Sequence, residues 1–584
     1  MRLTVPTLTR PRLAGPALTL SRALPLACVV WLVSVFLAAP DANERTSVGA
    51  GAGTKGRAAV HHDTSLFTHS ENCVACHNGL TTPSGEDVSI GSTWRSTMMA
   101  NSARDPYWQA AVRRETMDHP RHAAAIEDEC ASCHMPMTTR IERAAGATGR
   151  VFAHVPVAGG DRSPMHRLAA DGISCTVCHQ IAPDRLGTRD SFNANFVMRP
   201  TPKGGARPIF GPYAVDAGRQ TIMRSVSGFV QAEAPHVRQS ELCASCHTLI
   251  TKAFGPDGEV IGSLPEQMNY QEWQHSDFNR EQRSCQSCHM PRAEGPIRAS
   301  SVLGEARDSL ARHLFVGGNA FMVRMLNRYR VELGVEALPG ELEATARATI
   351  RQLQEETAEV HLSEPRLAGD TLAFDVTVRN LTGHKFPTGY PARRTWLHVT
   401  VRNAQGQPVF ESGAVDATGA IAGNDSDSGS DSGPGVAGFE PHYEEISRAD
   451  QVQIYEPILG DRAGAPTTGL LSAVRYLKDN RLLPRGFDKA TADAEIGVYG
   501  AAAADPDFGA SGDRVRYRIA APSSGPLQIE VELRYQAIGY RWAHNLERYD
   551  APEPARFVSY YKAAAMSSSV VVASATATTG DGLH

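Results

Sequence analysis

The chain has 584 residues, 42% of them hydrophobic and 21% charged, which is enough for several domains with buried cores. Its 58 basic and 63 acidic residues give a formal charge of −5, so no global positive field indicates nucleic-acid binding, and no apolar pattern indicates a multi-span membrane protein. Eleven cysteines are more informative, because ten lie between Cys73 and Cys288 and none follows. Disulfides would not be confined to one region of so long a chain, so this distribution predicts a local site chemistry.

Residues 1–40 have the pattern of an export segment. They contain four arginines and no acidic residue, and an apolar run extends from Ala23 to Ala39. This pattern predicts a signal peptide, or an uncleaved N-terminal anchor, and in either case a periplasmic or other extracytoplasmic protein. Cys28 lies inside the apolar run and is interpreted as one of its apolar residues. Residues 41–58 are a predicted linker.

The ten remaining cysteines form five Cys-x-x-Cys pairs, and each pair is followed at once by histidine. The motifs, numbered 1 to 5 in chain order, are Cys73-Val-Ala-Cys76-His77, Cys130-Ala-Ser-Cys133-His134, Cys175-Thr-Val-Cys178-His179, Cys243-Ala-Ser-Cys246-His247 and Cys285-Gln-Ser-Cys288-His289. Two thiols three positions apart on a helical turn can add to the two vinyl groups of one haem, and the histidine then reaches the iron. A zinc ribbon lacks the fixed trailing histidine, and a redox dithiol motif would occur once. The sequence therefore predicts five covalently bound haem c groups.

Five haems in this segment leave roughly 43 residues for each, so the porphyrins themselves must form much of the core. We expect residues 59–335 to be a pentahaem domain of short helices and loops with little sheet. Haems so close together suit electron hopping.

The second axial ligand of each iron separates an electron relay from a catalyst. Histidines near the motifs or in Gly-rich, turn-like segments are candidates, with an ordinary core or surface role as the alternative for each one. These distal candidates are His69, His122, His166, His236, His275, His313 and His384. Met99, in the segment Trp94–Ala100, is a candidate thioether ligand, which would raise the potential of its haem; a Met pair packed on a helix is the alternative.

On these motifs, residues 59 to about 330 resemble the multihaem c-type cytochromes grouped with the tetrahaem electron carrier of nitrifiers and, more distantly, hydroxylamine oxidoreductase. The repeated haem motifs, the Trp-x-x-Ser/Thr turn at Trp94–Thr97, and the segments 171–181 and 283–291 carry the resemblance. In that family the position of Met99 is commonly a haem-ligating histidine. A second such turn, Trp273–Ser276, suggests an internal repeat, with Phe278 at the equivalent ligand position.

The sequence of the cysteine-free half predicts strands as well as helices, unlike the pentahaem segment. The predicted fold class of the whole chain is therefore multidomain α+β. A connecting helix is expected over 336–360, with helical periodicity at Glu341–Val360. Alternating segments then predict an immunoglobulin-like β-sandwich over 361–570, followed by a tail at 571–584. The predicted strands are Thr371–Arg379, Thr395–Arg402, Gln451–Ile458, Arg514–Ile519 and Leu527–Gln536, and the predicted helices are Leu470–Asn480 and Pro554–Ala565. Residues 418–438 are a low-complexity acidic loop, solvated or able to bind calcium.

Asn380–Arg394 resembles the start of a β domain found fused behind such cytochrome domains. Its loop Gly383–Gly389 could hold His384 over a haem, which would lock the two halves of the chain together. Arg393 and Arg394 could pair with haem propionates, with surface ion pairing as the alternative.

The expected function is electron transfer along the haems, to or from a redox protein or a membrane electron-transfer complex, with membrane association only through the N-terminal segment. The rival is an oxidoreductase acting on a small nitrogen or sulfur compound at one haem with an open distal side. No motif carries Lys in place of the proximal His, the variant associated with nitrite reductases of this superfamily. No catalytic residue is therefore assigned.

Overall fold

The computed structural model describes residues 64–156, 159–160, 162–203, 205–425, 438–521 and 525–579. They belong to one compact unit, Val60–His584. The predicted export segment with Cys28, the linker at 41–58 and most of the acidic loop at 418–438 lie outside the described residues. Among the described residues, no helix is both long and apolar enough to cross a bilayer.

The first half of the described chain consists mainly of short helices joined by loops and 3-10 turns. Its helices are α1 Glu71–Val74, α2 Ile90–Arg95, α3 Pro106–Asp118, α4 Ala123–His134, α5 Pro136–Ala144, α6 Val151–His154, α7 Pro164–Ala170, α8 Cys175–Cys178, α9 Ala217–Ser227, α10 Ser240–His247, α11 Asn269–Gln274, α12 Asp277–Arg280, α13 Cys285–His289 and α14 Ala320–Arg328. The longest, α3, begins with Pro106 in its first turn, and the Asp105 side chain accepts hydrogen bonds from the Tyr107 and Trp108 amides. Most of the others are too short to be stable alone in water, so their stability depends on what they pack against.

Sheet in this half is limited to three pairs of strands, as expected. They are β1 Arg207–Gly211 with β2 Phe229–Glu233 (parallel), β3 Thr248–Phe254 with β4 Val260–Met268 (antiparallel), and β5 Ile297–Arg298 with β6 Ala306–Arg307 (antiparallel).

The second half begins with helix α15, Pro339–Glu355, and continues into sheets. Its strands are β7 Ala358–Leu362, β8 Arg366–Ala368, β9 Thr371–Asn380, β10 Arg394–Arg402, β11 Pro408–Ser412, β12 Glu445–Ile446, β13 Ile454–Tyr455, β14 Pro457–Asp461, β15 Pro466–Thr467, β16 Ala473–Asp479, β17 Asp513–Ala520, β18 Gln528–Gln536 and β19 Ser569–Thr578. Helices α16, Tyr540–His544, and α17, Pro552–Ala564, lie between β18 and β19.

Two five-stranded sheets face each other in this half. One has the order β11-β10-β18-β19 with β13 beside β10, and the other has β12-β17-β9-β7 with β8 beside β9. Phe374 of β9 stacks on Tyr517 of β17, and Phe410 of the opposite sheet contacts Tyr517 edge-on at 6.4 Å between ring centroids. The mixture of helix and sheet confirms an α+β chain; an immunoglobulin-like topology stays a prediction.

One hydrophobic core extends across both halves. It includes Tyr107 of α3 and Met322 of α14 together with inward-facing residues of both sheets. Tyr107 contacts Phe557 of α17 with ring centroids 5.0 Å apart. A shared core means that the two halves stabilise each other.

Two predictions of helix in the second half are wrong. The helix predicted to reach Val360 ends at Glu355, and Val360 instead pairs with Val378 in a sheet. The helix predicted at Leu470–Asn480 is a 3-10 turn followed by β16, whose register against β14 is interrupted by irregularities. Those bulges break the period-two alternation that would have marked a strand.

The C-terminal end also differs from expectation. The helix predicted at Pro554–Ala565 is present as α17, but residues 571–578, predicted as tail, belong to β19, which pairs along β18. The predicted strand Gln451–Ile458 is divided into β13 and β14, which join different sheets. The other four predicted strands are confirmed within one residue at each end.

Candidate haem-binding site

All ten cysteines of the five motifs are partly buried free thiols on or beside short helices. The motif helices are α1, α4, α8, α10 and α13, so each pair of thiols is carried by a helical turn, as covalent haem attachment requires. Burial raises the pKa of the Cys178 thiol to about 12, which keeps it protonated.

Four of the five motif histidines use their Nδ1 atom for a backbone hydrogen bond. Nδ1 donates to a carbonyl oxygen at 2.6 Å from His77, 3.2 Å from His134, 2.6 Å from His179 and 2.5 Å from His289. A carbonyl can only accept, so Nδ1 carries the proton and Nε2 keeps its lone pair for a metal.

Burial also keeps four of the motif histidines neutral. Burial lowers the pKa of His134 and of His247 to about 4, and it lowers the pKa of His179 and His289 as well. Neutral imidazole is the form that binds iron, so these side chains need lose no proton on ligation.

Two motif histidines lie opposite a second histidine at a separation that would suit one iron between the two rings. His179 and His313 have ring centroids 6.4 Å apart with planes 24° from parallel, and His289 and His384 are 6.2 Å apart at 16°. An iron bound at about 2 Å by one nitrogen of each ring would separate the centroids by about 6 Å. The residues present therefore fit a haem iron held between two imidazoles at motifs 3 and 5.

The two facing histidines have the same tautomer as their partners. Nδ1 of His313 donates to the Ala311 carbonyl at 3.2 Å, and Nδ1 of His384 donates to the Lys385 carbonyl at 2.9 Å. Burial lowers the pKa of His313 to about 3 and that of His384 to about 4. Both imidazoles are therefore neutral and keep Nε2 available.

Three other distal candidates use Nε2 in a backbone hydrogen bond, so their ligation through that nitrogen is not supported and stays a prediction. Nε2 of His122 is 2.6 Å from the Gly258 carbonyl, that of His236 is 2.8 Å from the Ile181 carbonyl, and that of the half-buried His275 is 3.1 Å from the Asp488 carbonyl. The same nitrogen cannot carry a proton to a carbonyl and donate a lone pair to iron.

The remaining candidates are not brought opposite a motif histidine by any ring contact of the described residues. His69 lies 3.4 Å from Asp171, and His166 lies against His154 with ring centroids 5.3 Å apart. The Met99 backbone carbonyl accepts a hydrogen bond from Ile173, just before motif 3. Their assignments stay predictions.

His154 is a buried histidine that the sequence reasoning missed. Its Nε2 is 2.9 Å from Glu142, and its Nδ1 has no hydrogen-bond partner. The distance in sequence between His154 and motif 2 does not predict that His154 is buried. The side chain is buried because α6 packs against α4.

Thiols of different motifs lie next to each other. The Cys73 thiol of motif 1 lies next to that of Cys175 in motif 3, and the Cys243 thiol of motif 4 lies next to that of Cys285 in motif 5. Motif 4 also contacts motif 2, since the Cys246 thiol lies next to that of Cys133. Motif 4 thus adjoins both motif 2 and motif 5.

The two Trp-x-x-Ser/Thr turns form a structural repeat. The hydroxyls of Thr97 and Ser276 donate to the Trp94 and Trp273 carbonyls at 2.8 and 2.7 Å. Each indole N–H then donates to a carbonyl two residues before a motif cysteine, at Ile173 before motif 3 and at residue 283 before motif 5. These turns fix the backbone that enters the two motifs whose histidines face a second imidazole.

The two arginines proposed for propionate pairing differ. Arg394 is buried and forms a bidentate ion pair with Asp425 at 2.9 and 2.7 Å, so it is neither a surface ion pair nor free for a propionate. Arg393 is half-buried and donates a hydrogen bond to the Thr388 carbonyl at 2.8 Å. After burial, its positive charge is a further cause of the lowered pKa of His247. Arg393 alone remains suited to an anionic haem edge.

His442, Asp505 and Asp513 form a buried group whose donor atoms lie close enough together to bind a metal ion. The amides of Gln453 and Asn480 both donate to Nδ1 of His442, at 2.8 and 3.1 Å. The proton must therefore lie on Nε2, which donates to Asp505 at 3.0 Å. This hydrogen-bond pattern leaves no imidazole lone pair for a metal.

Asp513 should make stability fall with rising pH. Burial raises its pKa from 3.8 to about 7, so between these values the folded protein binds the proton and the unfolded chain does not. We expect Asp513→Asn to remove this loss, which is at most about 1.4 kcal/mol per pH unit. Urea unfolding of the wild type and the variant from pH 5 to pH 8 tests it, with Asp507→Asn at a partly exposed neighbouring carboxylate as control. Equal slopes in all three proteins would contradict the expectation.

Comparison with known proteins gives one similar solved structure, a penta-heme cytochrome c552 from Thermochromatium tepidum. The identity is 15%, the TM-score is 0.47, and the alignment covers 88% of this chain and 99% of that one. No family model and no curated protein matches the chain.

Proposed function

We propose that the protein is an exported pentahaem c-type cytochrome that relays electrons between its haems and a redox partner. The observation that carries the proposal is the pairing of His179 with His313 and of His289 with His384, at a separation that suits one iron between two neutral imidazoles. Haem c supplies a one-electron ferric/ferrous couple. The Cys-x-x-Cys-His repetition supports five such groups.

The residues of this chain have three roles in the relay. Each pair of thiols would hold one haem through two thioether bonds, each formed by addition of one S–H across one vinyl group. Each motif histidine, with Nδ1 tied to a carbonyl where the structure gives that contact, presents Nε2 to iron. The contacts between thiols of neighbouring motifs hold the attachment points close, which shortens the distance an electron must cross.

The partner and the location belong to the same proposal. An arginine-rich, acid-free N-terminus with an apolar run supports export or N-terminal anchoring. We infer that the partner is another redox protein or a membrane electron-transfer complex, and that Arg393 pairs with a haem propionate.

A second candidate function, small-molecule chemistry at one haem, is favoured by acid–base groups beside motif 2. Glu266 is buried, and burial raises its pKa to about 8, so it is protonated at neutral pH. Glu266 lies within electrostatic reach of the Cys130 thiol and of the buried phenol of Tyr390. Such groups suit proton delivery to a substrate at an open iron.

Spectroscopy of the purified holoprotein separates the two candidates. For a relay we expect low-spin optical and EPR spectra that do not change on adding nitrite, hydroxylamine, cyanide or carbon monoxide. A high-spin signal that one of these ligands converts would instead support the oxidoreductase. Glu266→Gln is the matched variant, because it should alter the pH dependence of ligand binding only in that second case.

A further inference from the structure

The loop that carries His384 comes from the second half of the chain but is fastened to a carboxylate of the first half. Glu272 lies in α11, shortly before motif 5, and its side chain is fully buried. Its Oε2 atom accepts hydrogen bonds from the Lys385 amide at 3.1 Å and from the Thr388 hydroxyl at 2.5 Å. Both donors flank the turn that follows His384.

Glu272 also belongs to a buried quartet of two cations and two carboxylates. Lys385 Nζ is 2.7 Å from Asp479, Arg481 is 2.8 Å from Asp479, and Arg481 Nη1 is 2.9 Å from Glu272. Each of these side chains is at most 6% exposed. Desolvating four charges costs about as much as their attraction returns, so such a quartet is poor evidence for stability alone and calls for another role.

The same loop aims the His384 imidazole. Nδ1 of His384 donates to the Lys385 carbonyl, and the His384 carbonyl accepts hydrogen bonds from Asn380 at 2.7 Å and Thr382 at 2.9 Å. The Lys385 backbone is therefore bound to the His384 imidazole through its carbonyl and to Glu272 through its N–H. Movement of that peptide would tilt the imidazole away from His289.

We propose that Glu272 is a positioning residue, which holds His384 opposite His289 and lowers the reduction potential of the haem between them with its buried charge. This inference rests on the proposed function. A nearby negative charge favours the oxidised iron, which carries one more positive charge. Glu272 is within electrostatic reach, since its charge acts on the His384 imidazole.

The test is a redox titration of the full-length holoprotein with Glu272→Gln, followed by EPR. Glutamine keeps an acceptor oxygen for Lys385 and Thr388 but removes the charge. We expect the low-spin signal to persist while the potential of this haem rises, with the reduced-to-oxidised ratio about tenfold higher at a fixed potential, or about 59 mV for one electron. The haem is identified as the couple that changes in His384→Ala.

Glu281→Gln is the matched control, because Glu281 also pairs with an arginine of the second half, Arg485, but is 45% exposed. It should shift no potential. If Glu272→Gln lowers the unfolding midpoint yet leaves every potential and the EPR signal as in the control, Glu272 is only structural and the inference is wrong.

Thr388→Val is a milder second variant for the case in which Glu272→Gln does not accumulate with its haems. It removes one hydrogen bond to Glu272 and keeps all four charges. We expect a broadened or partly high-spin signal at the same haem, and an unchanged signal would overturn the positioning role. If His384→Ala also changes no haem signal, the proposed ligation itself has failed, and the two failures are distinguished.

Discussion

Replacing His384 by alanine is expected to convert the haem of motif 5 from a low-spin to a high-spin iron. The facing imidazoles of His289 and His384 are 6.2 Å apart between centroids, and no other described ring faces His289 in this way. About one fifth of the haem of the protein should therefore show a high-spin EPR signal and bind carbon monoxide on reduction. The other haems should keep their spectra.

Two further variants make this prediction specific. His384→Met should retain a low-spin iron with a raised potential, because a thioether can replace the imidazole. His275→Ala is the matched control, since His275 also contacts the second half but uses Nε2 for the Asp488 carbonyl. An His384→Ala protein with an unchanged haem spectrum and unchanged stability would exclude ligation by His384.

Removal of motif 4 should do more damage to electron transfer than removal of motif 5. Cys246 and Cys243 contact thiols of motifs 2 and 5, whereas motif 5 is joined through Cys285 to motif 4. Both double variants, Cys243→Ala with Cys246→Ala and Cys285→Ala with Cys288→Ala, should lose one haem from five by mass spectrometry. Only the motif 4 variant should interrupt the path between motifs 2 and 5.

Stopped-flow reduction measures the difference. In the motif 4 variant, reduction by a small reductant should become multiphasic, because the separated haems no longer exchange electrons quickly. The motif 5 variant should keep a single fast phase for its remaining haems. Identical kinetics would contradict the central position of motif 4, and a full haem complement in either variant would contradict covalent attachment by these cysteines.

The cysteine motifs show how much could be read from the sequence. Cys-x-x-Cys-His is a local pattern, since the two thiols and the histidine lie on one turn or just beyond it, and no distant residue is needed to define it. The strands at 371–379, 395–402 and 514–519 were equally readable, because one face is buried and the alternation of side chains survives. Bulges and a 3-10 turn removed that alternation at 470–480.

The distal histidines could not be assigned from the sequence. Five of the candidates lie in similar sequence contexts, and they differ in which ring nitrogen is hydrogen-bonded to a carbonyl oxygen. They are His122, His236, His275, His313 and His384. The hydrogen bond of each ring nitrogen depends on backbone groups from segments remote in sequence, such as the carbonyl of residue 258 for His122. The Glu272 quartet was invisible for the same reason, because its four members come from three separate stretches of the chain.

The sequence alone therefore determined the features that are local: five Cys-x-x-Cys-His motifs, an export-like N-terminus, and a cysteine-free half with strands. The tertiary structure decided which imidazoles face each other, which motifs adjoin, and that both halves share one core. The physical reason is that attachment needs residues three positions apart, whereas a second axial ligand needs two segments held at a fixed separation. Only packing of the whole chain, here His384 held near His289 by a loop bound to Glu272, can supply that separation.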